Sequence, residues 1–187
     1  MKKNIRNSVF CGLCIALCLV LPLAFHMIPN AGVVISPMHI PVFICGFVCG
    51  WQYGLICGVA APILSSLMTG MPSAAALPSM VLELAVYGAA SAVLLKIINT
   101  KKIYADLYIS LIISMLLGRV VAGLAKALIF TSGEMSFKAW LVSYFVSCIP
   151  GIIIQLIFIP SLYIALQRAR IIPNKYNVKK ETTDETQ

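Results

Sequence analysis

From Asn7 to Gln167 the chain runs through one apolar stretch after another, each long enough to cross or enter a bilayer and separated only by short turn signals. A hydrocarbon core about 30 Å thick takes roughly 20 apolar residues as an α-helix. No water is present there to satisfy an open backbone, so helices are the economical solution. Six candidate helices follow, at about residues 7–28, 37–50, 52–70, 77–97, 104–130 and 139–167. Pro29-Asn30-Ala31-Gly32, Gly70-Met71-Pro72 and Thr131-Ser132-Gly133-Glu134 are clear breaks. Between the second and third spans only Gly50-Trp51-Gln52 marks a turn. The second span is short, and Pro37 and Pro41 predict a first turn that is partly unwound. The expected fold is all-α, a six-helix transmembrane bundle over residues 1–173. The polar stretch 174–187 is expected to be a disordered cytoplasmic tail.

Composition excludes the ordinary alternative. Charged residues make up 11% of the chain, against roughly a quarter in an average soluble domain. The net charge of +8 would suit nucleic acid, but its distribution does not. Lys2, Lys3 and Arg6 stand at the start, Lys96, Lys101 and Lys102 in mid-chain, and Arg168, Arg170, Lys175, Lys179 and Lys180 at the end. On a six-span chain these three clusters share one side of the membrane. The positive-inside rule makes that side cytoplasmic and both termini with it. The opposite loops, 29–36, 71–76 and 131–138, hold one Lys and one Glu between them. The first 28 residues look like a signal peptide, yet no small-residue cleavage site accompanies Pro22-Leu23-Ala24-Phe25-His26. Leu17 before Cys18 argues equally against a lipoprotein cut, so this segment is read as a retained first helix.

Seven cysteines (11, 14, 18, 45, 49, 57 and 148) all lie inside apolar segments, where a thiol acts as a small hydrophobe. Cys11-x-x-Cys14 has no second pair and no nearby histidine. With His26 and His39 the only histidines, no multi-His metal site is available, and neither metal nor cofactor is expected.

Three ionisable residues fall well inside spans: Glu83, Arg119 and Lys126. Each costs about 2.5–3.5 kcal/mol at a helix centre. The thirteen Leu, Ile, Val and Phe of span five return roughly 4–8 kcal/mol. The two nearly cancel, so span five should insert as part of a bundle with its charges inward. Arg119, Ala122, Gly123 and Lys126 share one helical stripe, and Glu83 and Tyr87, four apart, share another. Counting about 1.5 Å per residue puts Arg119 near or just beyond mid-membrane, Glu83 in the outer half and Lys126 close to the outer boundary. His39, Ser65, Ser66 and Thr69 reach the same outer level.

Two readings are open. In one, Arg119 and Glu83 are a buried pair that holds two helices together while Lys126 snorkels to the outer headgroups. In the other, His39, Ser65, Thr69, Glu83, Tyr87, Arg119 and Lys126 line a polar pocket that opens outward. Its surplus positive charge would suit an anionic or carbonyl-rich ligand. The flanking Pro37 and Pro41 hold His39 at the mouth of span two, where an irregular backbone is tolerated only beside protein or a cavity. Gly46, Gly50, Gly54 and Gly58 follow the spacing of close helix packing, as do Gly12 and Ala16 on span one.

Ser36-Pro-Met-His-Ile-Pro-Val42, Ser65-Ser-Leu-Met-Thr-Gly-Met-Pro72, Glu83-Leu-Ala-Val-Tyr-Gly88 and Gly118-Arg119 together resemble the substrate-binding S components of energy-coupling-factor vitamin transporters. The resemblance covers roughly residues 5–167. It implies a six-helix subunit of the bacterial cytoplasmic membrane, not an enzyme, that captures a small vitamin near the outer face. Such a subunit works with a transmembrane scaffold subunit and two cytoplasmic ATPases. Its scaffold contact is an Ala-x-x-x-Ala pattern on the first helix, here Gly12 and Ala16. The Met-His-Ile-Pro-Val variant is similar to members assigned to niacin, with pantothenate close behind. Arg119 and Lys126 would then meet a carboxylate, and Tyr87 or Trp140 would stack on a ring. The sequence contains no Gly-x-x-x-x-Gly-Lys-Ser/Thr phosphate loop, which fits a subunit powered by others. Two alternatives compete. A stand-alone secondary transporter often shows an internal repeat, and none is visible beyond the glycine spacing. An intramembrane protease needs a Ser–His pair or clustered metal ligands, and span six has no histidine.

Overall fold

The computed structural model describes residues 2–25, 36–126, 149–169 and 171–172. His26, the Pro29–Gly32 and Thr131–Glu134 breaks, Trp140, Cys148 and the tail 174–187 lie outside the described residues. Within them the secondary structure is helical. The helices are α1 (Lys2–Phe25), α2 (His39–Cys49), α3 (Trp51–Thr69), α4 (Leu77–Ile97), α5 (Ile103–Ala125) and α6 (Ile149–Arg168). All but α2 are long and apolar enough to cross a membrane. At 11 residues, α2 reaches about 16 Å, half a hydrocarbon core.

The bundle is inside-out relative to a soluble protein. Leu67, Ile97 and Ile157 face outward, at 79%, 70% and 62% exposure, while Ser65, Ser91, Asp106, Ser110, Ser114, Arg119 and Gln155 are buried. Lipid is the solvent that makes this distribution favourable, and the chain is a multi-pass membrane protein. Along α1 the exposed side chains Ile5, Val9, Leu13, Leu17 and Val20 form the outward strip.

The short α2 is the centre of the bundle: nine of its eleven residues are buried. It packs on α1, α3, α4 and α6. On one side its cysteines meet those of α1 and α3, with Cys11, Cys14, Cys18, Cys45, Cys49 and Cys57 forming one apolar cluster with Val42, Ala61 and Leu84. These six thiols are unbridged. Several bond backbone carbonyls: Cys18 Sγ reaches Met38 O at 3.5 Å and Cys49 Sγ reaches Asn7 O at 3.6 Å. On the other side Phe43, Phe47, Tyr87, Leu107, Leu111, Met115, Ile159 and Tyr163 form the larger core.

Two expectations about the α2 region resolve in detail. The weak break before α3 is a single residue, Gly50, at φ +96°. That backbone is open to glycine and strained for other residues. The prolines do less unwinding than expected. Pro37 and Met38 form a turn, and helix begins at His39. Pro41 then sits in the first turn of α2, where a missing N–H leaves no helical bond unmade.

Glycines set how closely the helices approach. Gly46 and Gly54, four residues either side of Gly50, face each other across the α2–α3 hairpin. A methyl group built on Gly54 would strike the Gly88 carbonyl of α4, and one on Gly58 would strike the Leu84 carbonyl. The pairings 54 with 88 and 58 with 84 make α3 and α4 antiparallel and hold α4 against the hairpin. One residue before Leu84 and Gly88 in that register, Glu83 comes beside His39 of α2 and Tyr87 beside Gly118 of α5.

Candidate functional site

Tyr87 is the hub. It is fully buried, its ring stacked on Phe43 (centroids 4.9 Å apart) and tilted against the His39 ring at 5.3 Å. Gly118 allows this: a Cβ there would fall on the Tyr87 ring, so only glycine lets α5 come this close to α4. The next residue, Arg119, is thereby delivered to the phenol. Tyr87 Oη donates to Glu83 Oε1 at 2.5 Å and accepts from Arg119 Nε at 3.2 Å. The i, i+4 spacing of Glu83 and Tyr87 on α4 places acceptor and donor one above the other.

His39 completes the cluster from α2. Its Nδ1 lies 3.0 Å from Ser36 O. A carbonyl only accepts, so Nδ1 carries the hydrogen. The other ring nitrogen, Nε2, is directed to Glu83 Oε1 across 3.9 Å. That gap is too long for a direct hydrogen bond and has the span of an ion pair, or of a site for a bridging donor. Ser36 itself holds φ +46°, a left-handed backbone uncommon outside glycine, which brings its carbonyl under the ring. Four side chains from three helices thus converge: His39 of α2, Glu83 and Tyr87 of α4, and Arg119 of α5. Arg119 is 4% exposed and His39 6%, so the group is shielded from hydrocarbon by the bundle.

Ser65 and Thr69 have a different attachment. The Ser65 hydroxyl donates to Met71 O at 2.7 Å and that of Ser66 to Pro72 O at 2.9 Å. Thr69 Oγ1 donates to Ser65 O at 2.7 Å and accepts from Met71 N at 3.3 Å. These hydroxyls knit the α3–α4 turn. Ser65 lies seven residues beyond Gly58, about 10 Å past the level of Leu84. Lys126 closes α5 half-buried, its backbone N–H on the Ala122 and Gly123 carbonyls. It stands about 10 Å along the axis from Arg119. Gly12 and Ala16 are exposed on α1, and nothing lies within 4 Å of a Cβ built on Gly12.

Asp106 and Gln155 are among the buried polar side chains that the sequence reading passed over. Asp106 in the first turn of α5 is fully buried and accepts from the Thr100 backbone N–H at 2.9 Å and the Thr100 hydroxyl at 2.6 Å. It ties the α4–α5 loop to its helix. Gln155 of α6 is 1% exposed. A search for every polar residue stranded in an apolar run, rather than for charges alone, would have found it.

A helical membrane bundle that buries a carboxylate, a guanidinium, an imidazole and a phenol in one cluster belongs to the class of solute-handling membrane proteins, where such groups mark substrate paths. The comparison with protein families makes this specific: the model for ECF transporter, substrate-specific component, matches residues 6–163, and the chain belongs to that family. Members of the family are subunits of transporters rather than enzymes. Neither a curated protein nor a solved structure matches the chain.

Proposed function

We propose that the chain is the vitamin-capturing subunit of an energy-coupling-factor importer in a bacterial cytoplasmic membrane, with both termini in the cytoplasm. It takes a small carboxylate vitamin, niacin or pantothenate, from the outer face. It delivers the vitamin in partnership with a transmembrane scaffold subunit and two ATPases. The observation that carries this reading is Arg119, buried within the His39–Glu83–Tyr87 cluster of an apolar bundle. A guanidinium presents a planar fork of donors that matches a carboxylate. A desolvated cation in such a place is costly unless it serves a partner. Tyr87 and His39 offer ring faces and polar edges, Glu83 an acceptor, and Lys126 further positive charge toward the outer end. Ser65 and Thr69 shape the turn above. Gly12 and Ala16, exposed on α1, supply the flat strip for the scaffold.

Thermal unfolding of the purified chain with a panel of vitamins tests this directly, because a ligand that binds only the folded form raises its stability. A carboxylate vitamin should give a clear upward shift, and Arg119→Ala should weaken its binding at least tenfold. Unchanged affinity in Arg119→Ala would remove the site assignment. No shift with any vitamin would remove the capture function.

A further inference from the structure

Gln155 is almost wholly buried, and its Oε1 has no hydrogen-bond partner among the described residues. A buried acceptor left unpaired loses the hydration it had in the unfolded chain, which is why native proteins rarely tolerate one without a use for it. Two other side-chain atoms share this condition among the described residues, Ser110 Oγ and Gln167 Nε2. Both lie away from the cluster: Ser110 is nine residues along α5 from Arg119, about 13 Å, and Gln167 is twelve residues beyond Gln155, about 18 Å.

Position ties Gln155 to the cluster. The buried face of α6 includes Gly151, Gln155, Ile159 and Tyr163, four residues apart along one stripe. Ile159 and Tyr163 belong to the same core as Phe43 and Tyr87. Tyr163 meets Phe47 edge-on, ring centroids 6.0 Å apart. With both termini on one side of the membrane, as proposed above, α2 and α6 run in the same direction. Eight residues back from that contact, about 12 Å on each helix, stand His39 on α2 and Gln155 on α6. The orphaned amide oxygen therefore comes to the level of His39 and Glu83.

We propose that Gln155 Oε1 is the specificity-determining acceptor of this site, selecting carboxylate ligands that also carry an N–H or O–H donor. The proposal rests on the capture function above and names its substrate class. Glu83 Oε1 already accepts from Tyr87 Oη, whereas the Gln155 amide oxygen has no donor among the described residues. Nicotinate at neutral pH has a carboxylate and a ring nitrogen with a lone pair, and no donor to offer. Pantothenate has a carboxylate at one end with hydroxyls and an amide N–H along its length. A site built to receive a donor discriminates strongly against a ligand without one, because its own polar group is then left unpaired. Of the two vitamins the family resemblance suggests, the donor-bearing one satisfies Gln155 and the other does not.

The test is a cycle of two ligands and two proteins, using the purified full chain. Pantothenate and nicotinate are titrated against the wild type and against Gln155→Met, which keeps the side-chain length and removes the acceptor. Unfolding of both proteins is also measured without ligand. The wild type should hold pantothenate at least tenfold more tightly than nicotinate, and Gln155→Met should bring the ratio to within about threefold by weakening pantothenate alone. Ligand-free Gln155→Met should unfold at the same or a higher temperature than the wild type, since an orphaned acceptor has been replaced by an apolar isostere. A lower unfolding temperature would mean a structural role, and a wild-type preference for nicotinate would mean the wrong ligand class; either overturns the proposal. Pantothenate binding that Gln155→Met leaves intact overturns the role of Gln155 while the capture function stands. Failure of both vitamins to bind the wild type overturns this inference, and failure across the whole vitamin panel removes the capture function as well. If Gln155→Met does not express, Gln155→Leu serves the same cycle.

Discussion

Tyr87 does two jobs with one hydroxyl, donating a hydrogen bond to Glu83 and accepting one from Arg119. Each of these hydrogen bonds involves a charged side chain, a class worth about 1.5–3 kcal/mol. Tyr87→Phe keeps the ring on Phe43 and removes both bonds. The variant should lose about 2 kcal/mol or more of stability without ligand, seen as a lower thermal midpoint in detergent. An unchanged midpoint would show that the hydroxyl is not what holds the pair. At this scale the sequence was informative where a residue was costly in lipid. Glu83, Arg119 and His39 were found because nothing apolar explains them. Ser65 and Thr69 were harder to place. Short hydroxyl side chains bond nearby backbone wherever they occur, and here the nearby backbone was the α3–α4 turn rather than the cluster.

Among the elements, the α2–α3 hairpin and α4 approach through glycine against carbonyl. In Gly54→Ala the new methyl would meet the Gly88 carbonyl, a backbone atom that no rotamer change can move. Overpacking of this kind costs about 1–3 kcal/mol, so Gly54→Ala should unfold earlier than the wild type and bind vitamin less tightly as α4 is displaced. Gly12 is the contrasting case, open on the outer strip of α1. Gly12→Leu should leave vitamin-induced stabilisation intact and prevent co-purification with the scaffold subunit, a result that separates the outer face of α1 from the ligand cluster. Co-purification at wild-type yield would place the scaffold contact elsewhere. Among the described residues, the order and approximate bounds of the helices could be read from hydropathy. The single-residue α2–α3 break and the almost complete burial of a half-length helix could not, because an apolar run reads the same whether lipid or protein surrounds it.

For the whole molecule, the prediction concerns energy. Expressed alone in cells that lack a coupling scaffold and its ATPases, the protein should bind its vitamin and produce no accumulation; uptake should appear when those subunits are supplied. Accumulation by the chain alone would favour a secondary transporter instead. The sequence by itself determined that this chain lives in lipid as a helical bundle, and that its few intramembrane charges face inward. Both follow from hydrophobic length and from the cost of an exposed charge, quantities that depend on local sequence alone. Only the tertiary structure decided that Glu83, Tyr87, Arg119 and His39 meet, that Ser65 serves a turn, and that Gln155 is left with an unanswered acceptor. Those outcomes depend on register between helices far apart in the chain. Close contacts such as Gly118 on Tyr87 and Gly54 on Gly88 set that register, and side-chain periodicity along one helix carries no record of it.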